Sequence, residues 1–221
     1  MKTKRVIVLG AGGNCRDIVD TMLDINLQAG RTLFEPVGYL DDAPGKKGAR
    51  LGGFPVLGPL DHAADYADCH FVYGINGTLF MARKRAILEG TGIPRERFVT
   101  LVHPSAAVST MARVGAGVVI LQNVSVCSEA RIGDHVMILP NTAVCHDAEV
   151  GDLSYLTAGV ILTGYVRLEE AVYMGAGASV RCRATIGARA IVGMGSVVLE
   201  DVPPESVVAG VPARPIRKLQ N

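Results

Sequence analysis

The sequence has no tryptophan, and its aromatic residues together make up only 5% of 221 positions. Its core must therefore be built from small and branched aliphatic side chains. Charge is also scarce: charged residues are 19%, below the usual ~25% of soluble domains. The net charge is +1, without the basic excess that nucleic acid or an anionic membrane surface requires. At 49% hydrophobic, the chain has enough apolar surface to fold rather than stay disordered. No run approaches the ~18 apolar residues of a membrane span, so membrane insertion is not expected. The opening MKTKRVIVLGAGG is basic and then apolar, but the run is short. Asn14, Arg16 and Asp17 follow at once, so it does not read as an export signal. The five cysteines, at 15, 69, 127, 145 and 182, are odd in number and form no CxxC. They read as reduced thiols of a cytoplasmic protein, not as a disulfide framework.

What the sequence does hold is glycine, at 26 positions, and two different kinds of order. The first hundred residues read as α/β. Val6 to Leu9 is a short apolar strand entering the turn Gly10-Ala11-Gly12-Gly13, and a helix follows to about Ala29. Ile18, Val19, Met22, Leu23 and Ile25 recur on one side of that helix. Val37 to Leu40 reads as a second strand ending in Asp41-Asp42. Phe71 to Tyr73 reads as a third, leading into Gly74-Ile75-Asn76-Gly77 and then a basic helix with Arg83, Lys84 and Arg85. Strands that alternate with helices imply a parallel sheet, and ligands of such sheets sit at the carboxyl ends of the strands. That edge here carries Gly12, Gly13, Asp41, Asp42 and Asn76. The turn Gly10-Ala11-Gly12-Gly13-Asn14-Cys15 misses the dinucleotide fingerprint GxGxxG at its last position, which argues against an NAD enzyme.

The second half obeys a six-residue rule. From Val102 to Val198 in steps of six, every position is aliphatic or Met, and four residues after each stands only Ala, Val, Ser or Thr. Seventeen such hexads describe a β-solenoid in which each hexad is one short strand and a corner, and each coil buries what its neighbour cannot bury alone. The segment Asp201-Val202-Pro203-Pro204 ends it. Val208-Ala209-Gly210-Val211-Pro212-Ala213-Arg214 follows. Three histidines fall in the repeat, at 103, 135 and 146. They occupy different hexad positions and do not stack, so no metal site is expected. Cys127 and Cys145 are eighteen apart but read as free thiols, because parallel side chains in stacked coils aim badly for a disulfide.

This pattern with its Ala-Gly-Val-Pro-Ala tail resembles the hexapeptide-repeat acyltransferases. The resemblance implies a left-handed parallel β-helix with three hexads per coil, so residues eighteen apart stack. It implies a small Rossmann-like α/β domain over residues 1–100, the β-helix over 101–202, and a tail at 203–221 that contributes to a coenzyme A site. The segment from Asn141 to Gly151 resembles the catalytic stretch of the sialic-acid O-acetyltransferase and nucleotide-amino-sugar N-acetyltransferase group, which includes bacillosamine and perosamine acetyltransferases.

By that resemblance His146 is the catalytic base, Asp147 its acidic partner, and the Gly164 amide the donor to the thioester carbonyl. Tyr155 stands where the group carries a second histidine on coenzyme A. Ala176 and Met194 line the cofactor through their backbones. Gly13, Asn14 and Cys15 replace the group's Gly-His-Gly turn, and Asp41, Asp42 and Asn76 complete a nucleotide-sugar site. The expected function is transfer of acetyl from acetyl-CoA to the amine of a nucleotide-linked sugar in surface-glycan biosynthesis. The alternatives are a hydroxyl acceptor, as in sialic acid O-acetylation, and a catalytically silent scaffold or nucleotide sensor. The resemblance also implies a homotrimer, which the outward aliphatics Val119, Leu121, Leu139 and Ile161 support, since exposed apolar patches mark interfaces.

Overall fold

The computed structural model describes residues 2–219. Five strands form the N-terminal sheet: β1 (Lys4–Leu9), β2 (Phe34–Leu40), β3 (Arg50–Leu51), β4 (Phe54–Gly58) and β5 (His70–Tyr73), in the order β3-β4-β2-β1-β5. Val6 to Leu9 are completely buried, as expected of a central strand covered on both faces. β1 pairs in parallel with β2 on one side and β5 on the other. The sheet therefore has a crevice where its connections diverge, at the carboxyl ends of these strands. The β3-β4 hairpin is antiparallel and was not expected. It turns at Gly52 and Gly53, both left-handed.

The helix α1 (Gly13–Ala29) starts at Gly12 with no side chain capping its free amides. It stops at Gly30, whose left-handed backbone lets its amide return to the carbonyls of Asn26 and Leu27. Ile18, Val19 and Met22 are buried on its inner side, whereas Leu23 is 44% exposed. A single turn at Met81–Arg83 leads into the short helix α2 (Lys84–Gly90).

The repeat forms seventeen two-residue strands, from Leu101–Val102 to Val197–Val198, in three parallel sheets. The register is the one expected, with Ser125 beside Ala143, Arg131 beside Glu149 and Met137 beside Tyr155. The hexad aliphatics point inward and are buried from Ile120 onward. Val102, Val108 and Val114 are half-buried, because they line the open end of the first coil. At most corners the residue three after the inward aliphatic is left-handed, among them Asn123, Asn141, Asp147 and Tyr165.

The three faces of the prism differ. One is covered by the N-terminal module: Leu101, Val119, Leu121, Met137 and Tyr155 share a core with Val6, Ile18 and Met22. A second presents the small or apolar residues Ala107, Ser125, Ala143, Ile161, Ser179 and Val197. The third presents Arg113, Arg131, Glu149, Arg167 and Thr185. This corrects the expectation for Val119 and Leu121, which are 1% exposed beneath the chain's own first module. Leu139 is half-buried against the same core, and only Ile161, at 43%, stands open. The tail extends the covered-face sheet with a parallel strand, Ser206–Gly210, and an antiparallel return, Ala213–Lys218.

Candidate active site

His146 lies on the edge between the small face and the charged face, in the corner between strands Ala143–Val144 and Glu149–Val150. Its side chain is 55% exposed, and Nδ1 lies 2.9 Å from Asp147 Oδ2. A carboxylate only accepts, so in the neutral imidazole Nδ1 carries the proton and Nε2 keeps its lone pair. Asp147 is left-handed at φ 57°, a conformation that aspartate tolerates well. One coil on, Gly164 is buried under the imidazole. A Cβ there would lie 2.6 Å from His146 Cε1 and 2.7 Å from Nε2. The ring of Tyr165 meets the imidazole edge-on at 5.3 Å, and the Arg183 guanidinium covers Tyr165 at 4.3 Å. Asp147, Tyr165 and Arg183 are one column of corner residues, so the stacking rule that found Gly164 also leads to Tyr165. The sequence reading did not follow that column.

Burial, helped by the neighbouring Cys127 thiol, pushes the Cys145 thiol above its ordinary value. This leaves it a poor nucleophile at neutral pH. All five cysteines are free. The three histidines of the repeat lie on three different edges. His103 bonds Asp24 at 2.9 Å and Ser105 at 2.8 Å, and His135 is buried against Phe98. Within one copy of the chain the three rings face different surroundings.

Of the residues expected to line coenzyme A, Gly164 lies beside His146, whereas Ala176, Met194 and Tyr155 do not. Ala176 and Met194 are exposed and stack on the other edge of the small face, next to the covered face. Met194 is 79% exposed. Tyr155 requires a correction. It is 4% exposed in the seam between the modules, and its hydroxyl accepts a hydrogen bond from Asn14 Nδ2 at 2.7 Å. Burial, with the Asn14 hydrogen bond opposing it, pushes the Tyr155 phenol up to about 12. Within one copy of the chain the phenol is thus enclosed in the seam, not open to a cofactor as the resemblance implies.

The six residues proposed for the sugar nucleotide do come together. Gly13, Asn14, Cys15, Asp41, Asp42 and Asn76 line one pocket of about 450 Å³ at the carboxyl ends of β1, β2 and β5. Their side chains serve mainly to build it. Asp41 accepts from the amides of Ala11 at 2.6 Å and Ala43 at 2.8 Å, and from Lys46 Nζ at 2.9 Å. Burial would raise its carboxyl, but the Lys46 and amide hydrogen bonds outweigh it and hold the group below the usual carboxylate range. Asp42 accepts from the Leu60 amide at 2.8 Å. The Cys15 thiol is buried under Gly10 and Gly74, and burial pushes it up to about 11. What remains open to a ligand is the uncapped start of α1, Lys46, and two residues the sequence reading missed, Phe80 and Arg83. Arg83 is exposed and forms no ion pair among the described residues.

The family described as "Bacterial transferase hexapeptide (six repeats)" matches residues 129–164. The acetyltransferase domain of PglB from Neisseria gonorrhoeae, in complex with acetyl coenzyme A, superposes with a TM-score of 0.82 at 27% identity over 97% of this chain and 100% of that one. PerB from Caulobacter crescentus, in complex with CoA and GDP-perosamine, gives 0.80 at 28% identity over 98% and 99%. A putative acetyltransferase of Schizosaccharomyces pombe is 39% identical over 56 residues, 25% of this chain and 27% of that protein. The chain thus spans only about a quarter of that curated relative. The chain folds as the left-handed β-helix of the hexapeptide-repeat acyltransferases it resembles, with a small α/β module before it. The likeness to the PglB and PerB acetyltransferase structures runs over 97–98% of the chain, through both the α/β module and the solenoid.

Proposed function

We propose that the protein transfers acetyl from acetyl-CoA to an amino sugar carried on a nucleotide, with His146 as general base. The observation that carries this reading is the exposed His146 imidazole, whose Nδ1 is held by Asp147 at 2.9 Å so that Nε2 is free. His146 Nε2 takes a proton from the acceptor amine as that nitrogen attacks the thioester carbonyl. Asp147 steadies the imidazolium that forms. The tetrahedral oxyanion is met by the Gly164 amide, a contribution of about 3 kcal/mol. Collapse expels the CoA thiolate, which takes the proton back from His146. No acetyl-enzyme is formed, and the raised Cys145 thiol fits that. The nucleotide occupies the pocket of about 450 Å³, with its phosphates toward the start of α1 and the cations of Lys46 and Arg83.

The acetyl-CoA site is completed by a second copy of the chain. His146 and Gly164 lie on one edge of the prism, Ala176 and Met194 on another. A cleft that contains both sets needs two prisms side by side, and the small face between the edges is free of charged side chains along its strands. A cyclic homotrimer provides three such clefts. The five free thiols suit a reducing cytoplasm, where activated sugars for surface glycans are made.

A thiol-release assay with acetyl-CoA tests the function. The acceptors are nucleotide-linked amino sugars, sialic acid and buffer alone. Release with the amino sugars supports the reading, release with sialic acid transfers it to a hydroxyl acceptor, and none with any acceptor leaves a silent scaffold.

A further inference from the structure

Lys84, the first residue of α2, is completely buried, and among the described residues no carboxylate pairs with it. An unpaired amine in the interior is costly, and an aliphatic side chain of the same length would fill the space without that cost. Burial pushes it down to about 7. Its Nζ donates to Asn76 Oδ1 at 2.6 Å and to the Leu153 carbonyl at 2.5 Å, and lies 5.9 Å from the ring centres of both Tyr73 and Tyr155. Both oxygen partners are acceptors, so a lysine is matched here by the number and direction of its donors.

The partners define what the lysine joins. Asn76 lines the proposed nucleotide pocket, and Leu153 is a corner residue of the solenoid. Asn76 turns its amide nitrogen to Met137 Sδ at 3.2 Å, and Asn14, on the same pocket wall, donates to the Tyr155 hydroxyl at 2.7 Å. Met137 and Tyr155 are rung partners one coil apart. The chain between them, residues 138–154, is the coil that carries His146 and Leu153. The pocket wall therefore grips both ends of that coil, and Lys84 ties the grip from inside.

We propose that Lys84, acting with Asn14 and Asn76, is a positioning residue that locks the nucleotide pocket onto the solenoid, so that an acceptor held by its nucleotide reaches a His146 imidazole in register. This rests on reading the pocket as the acceptor site. A tethered acceptor has its reactive nitrogen placed by the junction of the modules. A shift of about 1 Å there can cost about a hundredfold in rate. A free sugar settles at the catalytic edge independently of the junction.

The test compares the parent protein with Lys84→Met and Lys84→Gln, using UDP- and GDP-linked amino sugars and the corresponding free amino sugars. For Lys84→Met the ratio of tethered to free turnover should fall about ten- to a hundredfold, with the KM for acetyl-CoA unchanged. Lys84→Gln, which keeps a donor, should lie between. An equal loss on both acceptors, or no loss on either, overturns the proposal. If neither lysine variant folds, Tyr155→Phe removes only the hydroxyl that Asn14 grips, and an unchanged ratio there overturns it as well. Amide hydrogen exchange gives a readout that needs no turnover. Lys84→Met should speed exchange at residues 74–80 and 151–157 and spare the rest of the solenoid, and unchanged rates in those two segments count against the lock. If the parent transfers acetyl to neither kind of acceptor, the activity reading fails and the exchange result alone decides for or against Lys84.

Discussion

The His146 imidazole occupies the space that a side chain on Gly164 would need: an added Cβ would stand 2.6 Å from Cε1. Gly164 is not left-handed, so alanine there is compatible with the backbone. The glycine serves the ring above it. Gly164→Ala should leave the fold intact and displace the imidazole. Turnover should fall about a hundredfold, as for other misplacements of about 1 Å, with a melting temperature within a few degrees of the parent. Unchanged turnover would separate Gly164 from the base.

His146→Ala should lower kcat by about 10²–10⁴-fold, the usual worth of a general base. More than half of this side chain is exposed, so stability should hold. Asp147→Asn keeps a residue that tolerates the left-handed corner and removes only the charge, so it should cost less than the loss of the histidine. Cys145→Ser serves as the control and should retain activity. Stopped-flow thiol release on the three variants checks the order. Loss confined to Cys145→Ser would point to a thioester intermediate instead.

Asp41→Ala should act on both the pocket and stability. The substitution strands the amides of Ala11 and Ala43 and removes the partner of Lys46. The part-buried Ala11 amide left without an acceptor costs about 1–3 kcal/mol, whereas water replaces the carboxylate at the exposed Ala43 amide. The acceptor KM should rise and the acetyl-CoA KM should stay near its original value. Calorimetry alongside initial rates reads both. A variant with parent-like melting and an unchanged acceptor KM would remove Asp41 from the site.

Lys84 predicts a pH dependence of stability. Burial holds its amine at about 7 in the folded protein against an ordinary value of 10.5. Between those values the unfolded chain binds the extra proton, so stability rises as pH climbs from about 7 toward 10. Below about 7 both states bind it, and the cost of burying the charge is fully present. Lys84→Met should remove this contribution: its melting temperature relative to the parent is highest near pH 7 and declines toward pH 10. Parallel curves for the two proteins would show that the buried amine does not titrate this way.

Subunit complementation tests the shared cleft. His146→Ala removes the base on one edge, and Met194→Arg obstructs the other edge. Each variant alone should be nearly inactive. After co-refolding, mixed trimers contain clefts with neither defect, and activity should return to a fraction of the parent's. Light scattering that reports a stable monomer at micromolar concentration, or no recovery on mixing, would contradict a cleft built from two copies.

The repeat was legible in the sequence because its cause is local and recurs. An aliphatic side chain every six residues must point inward, and the three hexads per coil that the family resemblance implies place His146 over Gly164 and Ser125 beside Ala143. The acidic pair and the glycine turn were legible for a similar reason, since the strands before them set which edge they occupy. The tertiary structure alone decided what covers what. Val119 and Leu121 look like surface in the hexad and are core in the protein, because the first module settles on one face and not on the other two. Tyr155 sits in a cofactor position by spacing, yet the same module draws its hydroxyl to Asn14. Asp41, Asp42 and Cys15 stand where a ligand would touch them, but packing spends their side chains on building the wall. Lys84 left no trace in periodicity or motif: its role arises where residues 76, 84 and 153 meet, and contacts between distant segments carry no repeat for a sequence to display.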